Sequence, residues 1–273
     1  MAYNYINQDD WYIAPNEAGP KARDAARKAL ALDENDADAV LALAITTQWY
    51  EWDWIAADRL FTRAIELNPN NAEAHVYYTW FLAPMGRHEQ ALAEAKRGLQ
   101  SDPDSSLANF GVGSALVFSR QWDQAIEQLR TAIVLDPDYW FHYLYLGRAY
   151  EQKGNLPEAI AAFQRALELD RDQVENWSAL GHAYALSGKR AEAQKVIDHL
   201  KEVSAHSYVA PYNIAIIHAG LGDKDQAFAW LDRAYTERSY ILAVYLPTDA
   251  RLDPLRDDPR FNNLIRRVGL PLR

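Results

Sequence analysis

Apolar residues along this chain cluster in blocks of helical length, and short polar turns rich in proline and glycine separate the blocks. One phrase returns at the end of every second block. It reads Ala64-Ile65-Glu66-Leu67-Asn68-Pro69, then Gly98-Leu99-Gln100-Ser101-Asp102-Pro103, then Ala132-Ile133-Val134-Leu135-Asp136-Pro137 and Ala166-Leu167-Glu168-Leu169-Asp170-Arg171. Each is an apolar helix end followed by a turn, and proline enforces the stop because it cannot continue a helix and drives its predecessor to extended backbone. Pro69, Pro103 and Pro137 are spaced 34 residues apart. A fixed period of this kind predicts stacked supersecondary units and not a globular bundle, which has no reason to keep one.

Other positions keep the same step. Ala57, Ala91, Ala125, Ala159, Ala193 and Ala227 share it, as do Gly113, Gly147 and Gly181, and Gly154, Gly188 and Gly222. Small residues in mid-helix let two antiparallel helices approach, and the glycine between helices supplies the turn. The pattern resembles the tetratricopeptide repeat family, whose unit is a 34-residue helix-turn-helix. The best match is Tyr143-Leu144-Tyr145-Leu146-Gly147-Arg148-Ala149-Tyr150, continued by Ala159, Phe163 and Ala166; Trp177 to Tyr184 with Ala193 follows. The resemblance implies an all-α right-handed superhelix, an α-solenoid of six units at 37–71, 72–105, 106–139, 140–173, 174–207 and 208–241. The first unit carries one extra residue, in the turn Trp49-Tyr50-Glu51-Trp52-Asp53-Trp54. Residues 1–36 are expected to form a degenerate half-repeat, its second helix at Pro20 to Leu32.

The end of the chain leaves the period. Prolines punctuate Arg251 to Pro259, after which Phe261, Leu264, Ile265 and Val268 fall on one helical face, so 242–273 reads as a capping segment. The stretch Tyr208 to Leu270 also resembles C-terminal regions of bacterial multidomain regulators, in which such repeats follow a winged-helix, cyclase or kinase domain.

Charge narrows the partners. A net charge of -10 with no basic block disfavours nucleic acid, which needs clustered Lys and Arg. No run approaches the ~18 apolar residues of a membrane span, and Met1-Ala2-Tyr3-Asn4-Tyr5 lacks the charged start and apolar core of a signal peptide. The chain has 0 cysteines, which removes thiol chemistry and fits a cytoplasmic location, and equally a cysteine-free periplasmic one.

Candidate chemistry is sparse. No phosphate loop, zinc-protease motif or calcium loop is present, so no enzyme and no cofactor or metal site is expected. Gly111-Val112-Gly113-Ser114-Ala115 has the look of a nucleophile elbow but falls mid-helix, where the required strand-to-helix turn does not exist. The histidines keep no metal-ligand spacing, and Asp9-Asp10 and Asp257-Asp258 read as caps or solvated charges.

The family resemblance implies a concave face lined by the first helix of each unit. On this chain the matching and adjacent positions hold Val76, Tyr77, Trp80, Phe110, Phe118, Phe141, Leu144, Tyr145, Arg148, His182 and Tyr212. An aromatic, largely apolar face marks a binding surface, and 9 Trp and 16 Tyr exceed what core filling demands. The expectation is a scaffold that holds a protein or peptide segment in this groove, with self-association as a variant. The alternative is a sensor that encloses a small apolar molecule. The cationic clamp by which some members of the family hold acidic chaperone tails has no counterpart in these positions.

Overall fold

A computed structural model describes residues 14–272; the expected first helix of the N-terminal half-repeat and Asp9-Asp10 fall mostly or wholly outside them. The described residues are helical throughout, without strands. Helix α1 spans Pro15–Leu32. Six hairpins follow: α2 (Ala37–Thr46) with α3 (Trp54–Leu67), α4 (Ala72–Leu82) with α5 (His88–Ser101), α6 (Ser106–Phe118) with α7 (Trp122–Leu135), α8 (Trp140–Gln152) with α9 (Leu156–Leu169), α10 (Val174–Leu186) with α11 (Arg190–Val203), and α12 (Pro211–Gly220) with α13 (Lys224–Thr236). The chain ends in α14 (Tyr240–Tyr245), a 3-10 turn (Ala250–Leu255) and α15 (Pro259–Val268).

The helix starts are written locally. Asp36, Asn71, Ser105 and Asp223 each accept a backbone N–H of the first turn with their side chains, which satisfies donors the helix leaves open. The recurring alanines are buried to the last few ångströms squared: Ala57, Ala125, Ala159, Ala193 and Ala227 are all 0 % exposed. At Gly113 a Cβ would stand 2.7 Å from the Leu129 side chain, so only glycine lets α6 and α7 lie this close.

One turn position recurs in all six hairpins with left-handed backbone. It is glycine at Gly86 (φ 75), Gly154 (φ 78), Gly188 (φ 72) and Gly222 (φ 77), but Trp52 (φ 55) and Arg120 (φ 62) occupy it in the first and third hairpins. A left-handed L residue costs roughly 1–2 kcal/mol, so both exceptions ask for a compensating contact. Each has one, Arg120 to the C-terminal segment and Trp52 to the end of the last hairpin. Arg120 Nη1 and Nη2 donate to Asp253 Oδ2 and Oδ1, both at 2.6 Å, while the Trp52 ring lies 5.7 Å from that of Tyr235 and under the Arg238 guanidinium.

The extra residue of the first unit also has a structural form. Just before Trp52, residues Thr47–Glu51 make a π-helical turn, with the Trp52 N–H bonded to the Thr47 carbonyl. A one-residue excess in a helix takes this shape because the loop of each hydrogen bond grows by one residue, and such turns gather at functional sites.

The core does not leave the concave face open. One apolar cluster reaches from Ala22 to Leu270 and takes in the concave face, and a second, around Ala193, Ile197 and Ile217, joins the fifth and sixth hairpins. The reason is the course of the C-terminal segment. Instead of only covering the end, α14 turns back to the first hairpin and packs on the π turn, and the 3-10 turn rests on α12. Only α15 stays outside, against α13.

Candidate interaction site

The interior is built from the first helix of each hairpin. Trp80 on α4, Phe110 on α6, and Phe141 and Tyr145 on α8 form a continuous aromatic cluster, with ring centroids 5.0–5.9 Å apart. Trp80 Nε1 donates to Ser114 Oγ at 3.0 Å, and that hydroxyl donates in turn to the Gly111 carbonyl at 2.9 Å. Ser114 is therefore committed to joining helices, not placed as a nucleophile.

Tyr245 of α14 enters this cluster from the other side. Its hydroxyl lies 3.0 Å from that of Tyr145. The Arg148 guanidinium is held between the two rings, 4.8 Å from Tyr145 and 4.7 Å from Tyr245, and reaches Glu175 Oε2 at 3.1 Å. Beside it Asp249 receives Arg251 Nη2 at 2.7 Å and the Tyr212 hydroxyl at 2.9 Å. Burial by itself would raise the Asp249 carboxyl, but Arg251 and Arg148 outweigh it and hold the group well below the usual carboxylate range. Glu175 goes the other way: burial raises it, and Arg148 only partly offsets that. Burial pushes the Tyr245 hydroxyl up to about 12. His182 Nδ1 pairs with Glu151 Oε1 at 2.9 Å, both buried.

A second feature lies where the two ends of the array meet. Trp49 of the π turn stacks on Tyr240 with ring centroids 5.0 Å apart. Beside that contact opens a cavity of about 660 Å³. Its walls are the start of α1 (Ala14, Pro15, Gly19, Arg23), the π turn (Tyr50, Glu51), the connection after α11 (Ser204, Ser207, Tyr208, Val209) and the end of α13 (Arg233, Thr236, Glu237, Arg238). It exceeds the clefts beside His75 and Arg97 (about 410 Å³) and beside Phe261 (about 180 Å³).

Three stretches match the tetratricopeptide repeat family, at residues 60–93, 110–174 and 152–210. Over these stretches the chain carries tetratricopeptide repeats. Among solved structures it is similar to PilW, a widely conserved type IV pilus biogenesis factor, at 21% identity and a TM-score of 0.57, over 78% of this chain and 93% of PilW. It is also similar to a chain of the APC/C hetero-tetramer Cut9-Hcn1, at 19% identity and a TM-score of 0.61, over 89% of this chain and 45% of that one. At these identities the likeness is one of fold. No curated protein matches the chain.

Of the expected concave positions, Trp80, Phe110, Phe118, Phe141, Tyr145 and Arg148 meet one another. The expectation that they form an open, partner-facing groove is corrected. Val76, Trp80, Phe110, Phe118, Phe141, Leu144, Tyr145, Arg148, His182 and Tyr212 are all buried, none more than 8% exposed, and Tyr77 is half-buried. The groove is filled by the chain's own residues 240–252. Burying Tyr240, Leu242, Val244, Tyr245 and Leu246 contributes about 1.5–3 kcal/mol per side chain, more than a peptide partner could readily displace. The void beside Arg148 and Asp249 is about 20 Å³, room for about one water, so an enclosed apolar ligand has no space there either.

The repeat protein's cavity at the seam uses none of the positions singled out by family pattern. One signal pointed to it: the single-residue excess of the first unit. Among the described residues no group of three His, Asp or Glu side chains gathers to hold a metal ion, and no helix is long and apolar enough to cross a membrane.

Proposed function

We propose that this protein is an interaction module that takes a short peptide segment in the seam cavity between its first and last repeats. The observation that carries the reading is a cavity of about 660 Å³ in an array whose concave face is already filled, a volume within the range of ligand sites. Its walls favour a peptide over a small apolar molecule. Arginine, glutamate and hydroxyl side chains alternate with Pro15, Pro20 and Val209, which suits a backbone with mixed side chains. The π turn forms one wall through Tyr50 and Glu51, and local irregularity of this kind gathers where ligands are held. Tetratricopeptide-repeat proteins mediate protein–protein interaction, and the module fits that role. In the arrangement that the 208–270 resemblance implies, occupancy of the seam would be passed to an attached output domain.

A cavity-filling variant tests this. Peptides selected from a random displayed library on the unmodified chain should lose at least about tenfold in affinity, about 1.4 kcal/mol, for Ser207→Trp, which projects an indole into the cavity. The melting temperature should hold. Selected peptides that bind Ser207→Trp as tightly as the parent chain would sink the reading.

A further inference from the structure

The charges around the seam cavity do not cancel. Arg23 Nη1 lies 3.0 Å from Glu51 Oε1, and Arg233 Nε lies 2.7 Å from Glu237 Oε1, so two cations and two carboxylates pair internally. Arg238 is the remainder. Among the described residues it makes no ion pair with a carboxylate. Instead its Nε and Nη2 donate to the carbonyls of Tyr50 and Glu51, at 3.2 and 2.9 Å, and its guanidinium lies 4.5 Å over the Trp52 ring.

Those contacts fix the side chain without using it up. They occupy one edge and one face of the guanidinium plane. The end-on fork, one hydrogen each from Nη1 and Nη2, is left for an acceptor, and Arg238 lines the cavity. A planar cation already stacked and hydrogen-bonded loses little freedom on binding, so it recognises a planar anion more effectively than a lysine would. Its backbone is left-handed as well, at φ 51, which an L side chain rarely adopts. The protein as a whole carries -10 and repels anions at long range, so attraction at this point is local.

We propose that the seam cavity recognises the side-chain carboxylate of an aspartate or glutamate within the partner segment, through the end-on fork of Arg238. This rests on the seam being the peptide site. The guanidinium supplies two parallel N–H donors to the two carboxylate oxygens, while the Tyr50 and Tyr208 rings flank the neighbouring side chains of the segment.

The test uses the full chain labelled with nitrogen-15 and three capped probes: acetyl-Tyr-Glu-Pro-amide, its glutamine counterpart, and acetyl-Tyr-Gln-Pro with a free terminal carboxylate. The glutamate probe should shift the Arg238 Nε–Hε resonance and bind about tenfold more tightly than the glutamine probe, the scale of a charge-assisted hydrogen bond. Arg238→Lys should erase most of that preference while the melting temperature shifts little. Equal binding of the glutamate and glutamine probes, or shifts confined to other arginines, overturns the proposal. A free terminal carboxylate that binds as tightly as the glutamate probe overturns its side-chain assignment. If Ser207→Trp blocks peptide capture but the glutamate preference is absent, the seam stands and acidic recognition falls; if Ser207→Trp is without effect, both fall.

Discussion

Trp49 in the first repeat stacks on Tyr240 at the start of the C-terminal segment, ring centroids 5.0 Å apart and planes inclined by 30°. This contact joins the two ends of the array, and around it lie Arg238 on the Tyr50 and Glu51 carbonyls and Tyr235 against Trp52. Stacked repeats normally touch only their neighbours, so a contact between first and last changes the cooperativity of the whole.

Removing either ring should therefore loosen both ends at once. Trp49→Ala is expected to cost about 3–5 kcal/mol, with hydrogen exchange rising in α1 and in α14 together. In a double-mutant cycle with Tyr240→Ala the two losses should be less than additive, since the second variant removes a contact already gone. Losses that simply add would show that the rings do not communicate.

The aromatic interior behaves as core. Trp80→Ala and Phe110→Ala should each destabilise by about 3–5 kcal/mol in chemical denaturation, because both side chains are buried in the shared cluster. Tyr145→Phe should cost about 1 kcal/mol, leaving the buried Tyr245 hydroxyl without its 3.0 Å partner. A fold indifferent to Phe110→Ala would mean that the interior is open to solvent and the groove accessible after all.

The recurring left-handed turn offers a contrast between two substitutions. Gly154→Ala should cost about 1 kcal/mol, since φ 78 suits glycine and nothing crowds the position. Arg120→Gly should be close to neutral. It relieves left-handed strain of about 1–2 kcal/mol and gives up an exposed ion pair with Asp253 worth about 0.2–1 kcal/mol. Thermal melts of the two variants check the ordering; a strongly destabilised Arg120→Gly would show that the tether to the C-terminal segment outweighs the strain.

Acid should undo the interior network. An unfolded aspartate titrates near pH ~3.9, whereas folded Asp249 sits well below that, because Arg251 and Arg148 outweigh the effect of burial. A depressed folded pKa contributes stability that is whole above the unfolded value and is lost as pH falls towards the folded one. Melts of the parent chain and Asp249→Asn should thus differ most at pH 7, begin to draw together below about pH 4, and converge only as pH falls through the folded value. A gap that stays constant with pH would assign the loss to packing and not to charge.

Much of this protein is legible in the chain itself. The step of 34 residues located the hairpins because each recurring residue has a local reason: alanine where helices touch, glycine where φ is positive, proline where a helix must stop. Val76, Trp80, Phe110, Tyr145 and their companions read as one face, since spacing along a helix decides which way a side chain points. Their exposure was misread. Periodicity states that a face is apolar but not what covers it, and its cover begins at Tyr240, close to where the period gives out.

The sequence by itself determined the repeat, the hairpin and the inward-facing set, because those follow from contacts between residues near one another in the chain. Only the tertiary structure decided that the array closes on itself, that Tyr245 and Asp249 complete the interior, and that a cavity opens at the seam beside Arg238. Closure depends on curvature summed over six hairpins and on pairs such as Trp49 with Tyr240. A single chain read in order carries no local signal for such pairs, save the one extra residue that becomes the π turn where they meet.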